Sequence, residues 1–342
     1  MTRLDLEPRQ AVGIVCLIGL ASAPFLLPVL TLRQLTGALF LGMFAMSWDY
    51  VSGYTGQLSF GHSMFFATGG YTAALFNLHL DVTPLLAIII GTIAAGILGV
   101  VIGVPALRLR GPYLALITLI VPLILVQIVN IFPGTLGGEA GLRSPDNLIS
   151  VGDTIAPILS TIGFETPFDQ EVFVYYYLSL LLFLAIFALF YVFTRSYVGD
   201  IFTAIREDED AVLASGINPA KFKVFAFTMS GAVGGLAGAA FVHTPVGNPN
   251  PGLLLAVVVS IEVVLIAILG GMGTITGPAA AGIGYYFVRD FLQSTVSHVS
   301  MVIFFSVALL VLFFLPKGVV PWLADRGRTL LAWRDQRGKP TT

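Results

Sequence analysis

The sequence predicts an all-α protein: a polytopic membrane helix bundle of about ten transmembrane spans, with both termini in the cytoplasm. Of its 342 residues, 56% are hydrophobic and only 11% are charged, whereas an ordinary soluble domain has roughly 25% charged residues. Apolar runs close to the roughly 20 residues that cross a bilayer recur along the chain. Lysine and arginine fall mainly in alternate connections between these runs, which is typical of a multi-pass membrane protein.

The apolar runs place the spans in order. They cover residues 11–30, 35–50, 59–77, 84–107, 112–132, 172–193, 222–242, 252–269, 275–291 and 299–315. The second, third, eighth and ninth runs are short or broken by glycine, so one or more of them could re-enter the membrane without crossing it. The first run is longer than the apolar core of a signal peptide and is expected to stay in the protein. We expect residues 1–342 to form a single transmembrane domain.

The basic residues set the orientation, because lysine and arginine are retained on the cytoplasmic side. With ten spans, 14 of the 17 basic residues share the side of the two termini, and the other side has only Arg33, Arg143 and Arg289. The connection 133–171 is therefore expected outside the cell, and the segment 199–220 inside. The tail 316–342 has Trp322 and Trp333 among arginines, which suits a cytoplasmic segment at the membrane interface.

The longest strongly polar stretch between apolar runs is 199–223, GDIFTAIREDEDAVLASGINPAKFK. Asp200 is expected to cap one short helix, and the acids at 207–210 to begin a second. Gly216 suits the left-handed residue that ends the second helix. An apolar stripe at near-helical spacing comprises Ile201, Ile205, Val212 and Leu213. Such a segment is either a solvated loop or an element that docks into a partner.

Polar or flexible residues in or beside spans are candidates for a substrate path. The stretch 53–61 is rich in glycine and precedes His62, which predicts either a broken helix or close helix packing. Gly137 and Gly138 predict a tight turn, or a nest of N–H groups for a carboxylate. The candidate path residues are Gly56, Gln57, Ser59, His62, Asn130, Gly137, Gly138 and Glu262.

Glu262 lies near the middle of the eighth span. An intramembrane carboxylate is costly unless it is paired or hydrated, so it indicates either a functional site or an interhelical hydrogen bond. The candidate partners are Ser260, Asn130, Gln127 and His243.

Several function classes lack their motifs. The single cysteine, Cys16, excludes an intrachain disulfide framework. The sequence has no phosphate-binding loop for ATP, no set of residues with metal-ligand spacing and no nucleophile motif. A net charge of −2 without a basic aromatic tract gives no sign of nucleic-acid binding. We therefore expect no catalytic residues, no metal and no cofactor.

Four blocks, in order, resemble one known family. They are GYTGQLSFGHSMFFATGGYTAAL at 53–75, LGGEAGL at 136–142, AIREDEDAVLASGINPAKFKVFAFTMSGAVGGLAGA at 204–239 and ILGGMGTITGPAAAG at 268–282. The chain resembles the permease subunits of ABC importers for branched-chain amino acids, the LivH/LivM family, and the LivM type most closely. Leu136 and Glu139 depart from the Thr-Gly-Gly-Ser that the family more often has in the second block.

The resemblance implies a transport subunit of the cell membrane that moves branched-chain amino acids and is not itself an enzyme. Its implied partners are two cytoplasmic ATPase subunits, a second related permease (a different chain or a second copy) and an extracytoplasmic solute-binding protein, besides the lipid bilayer. The segment 201–216 would be the coupling helix seated on an ATPase. The implied coupling residues are Ile205, Arg206, Glu207, Asp208, Glu209, Val212, Leu213 and Gly216.

Two alternatives stay open at this point. Related permeases carry urea, short amides or other amino acids, so the solute is not fixed by the resemblance. An ion-coupled secondary transporter that uses Glu262 belongs to a different class and would not need an ATPase. A membrane-embedded enzyme would need clustered histidines or carboxylates near an interface, and the sequence has none.

Overall fold

The computed structural model describes residues 8–106, 112–149, 151–152, 156–161, 163–296, 299–315, 318–322 and 326. Its regular elements are helical throughout this part of the chain. The α-helices are α1 (Pro8–Leu26), α2 (Val29–Trp48), α3 (Ser63–Leu80), α4 (Pro84–Ala106), α5 (Pro112–Ile131), α6 (Pro133–Leu136), α7 (Ala156–Thr161), α8 (Pro167–Thr194), α9 (Tyr197–Glu207), α10 (Glu209–Ala214), α11 (Pro219–Val242), α12 (Pro251–Leu254), α13 (Val257–Gly270), α14 (Thr276–Thr295) and α15 (Ser300–Phe314).

A helix lies in every apolar run that the sequence indicated, so the predicted all-α bundle is confirmed. Within the described residues, six segments are long and apolar enough to cross a membrane on their own. They are Val29–Gly53, Pro84–Pro105, Tyr113–Ile131, Pro167–Thr194, Pro219–Val242 and Pro251–Gly270. The apolar parts of α1 and α15 are shorter, and α3 and α14 carry more polar side chains.

Helix α2 lies at the centre of the bundle, where α8, α11, α13 and α14 pack around it. A second tight group consists of α3, α4 and α11. Here a Cβ atom on Gly69 would overlap the backbone of Gly235, and one on Gly238 would overlap Phe66. Small residues therefore let these helices pack backbone to backbone, as is common within membranes.

Two of the predicted spans contain irregular backbone. Helix α2 continues into a π-helical turn, Asp49–Gly53, and the chain then runs back along α2 before α3 begins. The indole Nε1 of Trp48 donates a hydrogen bond to the carbonyl of Ser59 at 2.7 Å, which holds the returning segment against α2. The eighth run is likewise divided between α12 and α13. The ninth run, by contrast, forms one continuous helix, α14.

The contacts separate two ends of the bundle. At one end Arg206 bonds to Gly53. At the other end the Asp146 N–H donates to Asn77 Oδ1 at 2.8 Å, and the Leu142 N–H donates to the Pro249 carbonyl at 2.9 Å. This grouping agrees with the alternating connections of the ten-span prediction, and the orientation predicted from the basic residues would place the Arg206 end in the cytoplasm.

The predicted tail 316–342 lies outside the described residues except for 318–322 and 326. Within that short part, the guanidinium of Arg326 lies over the Trp322 ring, 5.7 Å from its centroid. Trp333 is outside the described residues.

Candidate functional site

The polar segment between α8 and α11 folds into the helices α9 and α10. Asp208 caps α10, because its Oδ1 accepts a hydrogen bond from the Ala211 N–H at 2.9 Å. Gly216 has a φ of +88° just beyond α10, so the predicted start and end of this helix are confirmed. The prediction for Asp200 is wrong: Ser196 occupies the cap position of α9, and Asp200 lies in the first turn.

The apolar stripe of α9 and α10 packs mainly against the protein itself. Ile205 and Val212 are only 4% and 7% exposed and form a small cluster with Ile201. Leu213, in contrast, is 57% exposed. Little of either side chain is therefore left exposed to a partner, because periodicity alone does not say which neighbour covers an apolar face; their contact with an ATPase stays a prediction. Leu213 remains available to a partner.

The acidic side chains of this segment differ in their surroundings. Glu207 and Asp208 are exposed. Glu209 pairs instead with Lys223, with 2.8 Å between Oε2 and Nζ, and the lysine side chain is buried. This ion pair ties α10 to the start of α11, so Glu209 has a structural contact inside the chain.

Arg206 connects α9 to the membrane-spanning part of the protein. Its Nη1 donates a hydrogen bond to the carbonyl of Gly53 at 2.6 Å, at the end of the π-helical turn. Gly56, with a φ of +72°, packs against the same side chain, and a Cβ there would lie 3.2 Å from Arg206 Cγ. The glycine at 56 thus lets the arginine reach the turn.

Asp49, which sequence reasoning did not single out, holds a second connection at this end. Its buried carboxylate accepts hydrogen bonds from the N–H groups of Gly273, Thr274 and Ile275 at 2.6, 3.2 and 3.0 Å. These residues precede and begin α14. The signal available in the sequence was an acidic residue at the end of an apolar run, and its partners lie more than 220 residues further along the chain.

The turn bound by Asp49 has an uncommon backbone conformation. Ile275 has φ and ψ of +54° and −48°, a region that a β-branched residue rarely adopts. Such a conformation costs about 1–3 kcal/mol and persists only where its surroundings impose it. The three hydrogen bonds to Asp49 provide that constraint.

The predicted path residues of the returning segment are buried in the bundle. Gln57 and Ser59 are buried, and neither side chain has a hydrogen-bond partner among the described residues. The Nε2 atom of His62 lies 2.9 Å from Ser47 Oγ, and its ring stacks on Phe44. None of the three lines either cavity described below.

Gly137 and Gly138 form a tight turn, with φ values of +81° and +57°. The Gly137 N–H donates to the Pro133 carbonyl at 2.9 Å. Because that donor is already used, the turn interpretation fits better than a nest that includes Gly137.

Two cavities flank the broken segment between α11 and α13. The first has a volume of about 250 Å³ and lies among α2, α13 and α14. The second has a volume of about 410 Å³ and lies between α5 and the α12–α13 break. Glu262 lines the first cavity and Asn130 lines the second, so the structure does not bring these two candidates into one site.

Glu262 is almost completely buried and pairs with Arg289 of α14, with 3.1 Å between Oε2 and Nη1. Ser260 instead bonds to Ser63, and His243 lies 2.7 Å from the Asp146 carbonyl. The observed partner, Arg289, is therefore none of the four predicted ones, which were Ser260, Asn130, Gln127 and His243.

The family model for the branched-chain amino acid transport system, permease component, matches residues 30–314. The chain belongs to this permease family. It is 29% identical over 328 residues to the Escherichia coli K12 "High-affinity branched-chain amino acid transport system permease protein LivM", which covers 92% of this chain and 75% of the relative. The Salmonella typhimurium protein of the same name is 27% identical over the same shares.

A more distant relative is the "Probable branched-chain amino acid transport permease protein LivM" of Methanocaldococcus jannaschii, 24% identical over 78% of each chain. No solved structure matches the chain. Membership of the permease family confirms the resemblance of the four sequence blocks. The protein is therefore a multi-pass protein of the cell membrane and a transport component.

Proposed function

We propose that this chain is the permease subunit of an ABC importer and carries branched-chain or similar hydrophobic amino acids across the cell membrane. The family match supports the transport of branched-chain amino acids, and the observation that carries the coupling to an ATPase is the bond between Arg206 of α9 and the carbonyl of Gly53. It links an exposed helix, predicted to be cytoplasmic, directly to the π-helical end of the central span. A solvated loop would not need such an anchor, whereas an element that transmits force does.

In this proposal, an ATPase subunit binds the outer face of α9 and α10. Glu207, Asp208 and Leu213 lie on that face, so the partner groove would be basic at its edge with an apolar contact. Movement of α9 acts on the end of α2 through Arg206. Asp49 then transmits the movement to the turn before α14, so that the packed helices α2 and α14 shift as a unit.

The cavity between α5 and the α12–α13 break supports a solute path on the extracytoplasmic side. Gln127, Asn130, Glu139 and Asn250 give it a polar lining. The Oδ1 atom of Asn130 is buried without a partner among the described residues. Discontinuous helices at such sites offer backbone groups to solutes in other transporters.

Helix α5 presents a long apolar face outside this chain. Its large exposed residues include Leu116, Ile120, Leu123 and Ile124. In a two-permease importer this face would meet the second permease, which is either a related chain or another copy. The solute-binding protein would deliver the amino acid to the end that carries the 133–171 connection.

Uptake of labelled leucine by the reconstituted complex tests the proposal. We expect uptake that requires ATP, the ATPase subunits and the solute-binding protein, and that excess isoleucine or valine suppresses. Urea and polar amino acids serve as competitors. Uptake of urea but not leucine would overturn the proposed substrate, and uptake driven by an ion gradient without the ATPase subunits would overturn the ABC mechanism.

A further inference from the structure

The cavity among α2, α13 and α14 combines an aromatic interior with charges of both signs. We propose that it is a binding site for a zwitterionic amino acid with an apolar side chain. Arg289 faces the carboxylate, Asp290 faces the ammonium group, and phenylalanines surround the side chain. This inference rests on the proposed function and adds to it the site that holds the solute.

Four phenylalanines form one part of the cavity wall. Phe40 and Phe241 pack edge to face with centroids 5.6 Å apart, and Phe44 and Phe66 lie 4.8 Å apart. All four line the cavity of about 250 Å³. Pockets for drug-sized ligands are roughly 300–1,000 Å³, so this volume suits a smaller solute with an apolar side chain.

The polar side of the cavity comes from one face of α14. Tyr286, Arg289, Asp290 and Gln293 recur at three- and four-residue spacing and all line the cavity, as expected for one helix face. Charges in a membrane-spanning segment are costly unless they face protein or water. Arg289, Asp290 and Gln293 therefore offer a cation, an anion and an amide to a polar occupant of the cavity.

Arg289 is well suited to bind a carboxylate. One of its terminal nitrogens, Nη1, contacts Glu262, and the side chain is 41% exposed. A guanidinium has five N–H donors in a planar fork, so it retains donors for a second carboxylate. Asp290 is exposed and is oriented by Gln34, whose Nε2 donates to its Oδ2 at 2.7 Å.

Glycines on α2 and α14 make room for this arrangement. A Cβ on Gly37 would lie 2.7 Å from the Tyr286 hydroxyl oxygen. A Cβ on Gly282 would lie equally close to Gly42 Cα, where α2 and α14 cross. The two helices therefore approach closely below the cavity, and α14 links it to the turn held by Asp49.

A diazirine analogue of leucine, photoactivated on the reconstituted complex, tests the site directly. We expect label on Phe40 or Phe241. The double variant E262Q/R289Q removes the cation without leaving a buried carboxylate unpaired, and D290N removes the anion but keeps an oxygen for Gln34. Each should lower both labelling and the kcat/KM of leucine uptake about tenfold or more, the usual effect of losing a charged hydrogen bond.

Arg326 provides the matched control, because it is exposed in the segment after α15 and lines neither cavity. R326Q should label and transport like the wild type. ATP hydrolysis stimulated by the solute-binding protein reports assembly in every variant. If the double variant does not assemble, the labelling and leucine uptake of D290N alone test the site.

Wild-type uptake and labelling by D290N, or label confined to residues 123–130 beside the second cavity, would overturn the proposed site while leaving the importer intact. If the wild-type complex takes up no leucine at all, the proposed function itself fails, and the site fails with it.

Discussion

Two carboxylates in membrane-spanning segments, Asp49 and Glu262, are stabilised in different ways. Asp49 accepts three backbone N–H bonds from the turn before α14. Glu262 pairs with Arg289, a flexible side chain that is partly exposed in a cavity. A carboxylate bound by backbone fixes the position of a turn, whereas one bound by a side chain leaves a partner that can rearrange. Asp49 therefore suits a fixed contact between α2 and the turn before α14, whereas the Glu262–Arg289 pair suits the binding of a ligand.

The strongest test of this comparison is Asp49→Ala. The variant leaves the buried N–H of Ile275 and the part-buried N–H groups of Gly273 and Thr274 without an acceptor, and a buried unpaired group costs about 1–3 kcal/mol. We expect the free energy of unfolding, measured by denaturant titration in detergent, to fall by about 3 kcal/mol. D49N retains one oxygen and should lose less. E165A, at an exposed acid of the predicted extracytoplasmic connection, is the control. An effect of D49A no larger than that of E165A would contradict the claim that Asp49 fixes the turn before α14.

Arg206→Ala tests the contact between α9 and the π-helical end of α2. We expect leucine uptake to fall about tenfold or more, since a hydrogen bond from a charged group contributes roughly 1.5–3 kcal/mol, while ATP hydrolysis by the assembled complex continues. The ratio of solute transported to ATP hydrolysed measures this uncoupling. K221A alters an exposed basic residue nearby and should keep the wild-type ratio. An unchanged ratio in R206A would show that the Gly53 contact transmits nothing.

The double variant E207Q/D208N tests the outer face of α9 and α10. Asparagine still caps a helix, so α10 should persist, and Glu209 keeps its pair with Lys223. We expect the affinity for the ATPase subunits to fall several-fold at low salt and to depend less on salt than in the wild type. D169N, an extracytoplasmic acid, is the control. Wild-type affinity with wild-type salt dependence would exclude these acids from the interface.

The smallest effect is expected for Glu262→Gln on stability. Glutamine removes the buried charge and keeps an oxygen that can accept from Arg289, and that arginine is 41% exposed, so it can be hydrated when it loses the carboxylate. We expect the free energy of unfolding to change by about 1 kcal/mol or less in the titration used for D49A. A loss as large as that of D49A would remove the contrast between the two carboxylates.

The sequence was a good guide wherever the signal is local. Apolar runs located the spans, and Asp208 and Gly216 located the ends of α10, because length and capping act over a few residues. Partners distant in the chain could not be read in this way. Neither the bonds of Asp49 to 273–275 nor the ion pair of Glu262 with Arg289 follows from spacing.

Burial was the other property that the sequence could not supply. Ile205 and Val212 have the periodicity of a docking stripe, yet the chain covers them itself. His62 and Gln57 are polar residues beside a helix break, as a solute path would require, but they pack inside the bundle. A polar or apolar residue type restricts the possible neighbours of a position, and only the three-dimensional packing selects among them.

The positive φ of Ile275 has a consequence for the movement proposed for α9 and α2. Its conformation stores about 1–3 kcal/mol, and the carboxylate of Asp49 keeps it in place. If α9 draws the end of α2 away, as proposed, the turn can relax and release that energy into a rotation of α14. Returning α2 would load the turn again, so the strained turn would favour the movement away from this geometry and oppose the return to it.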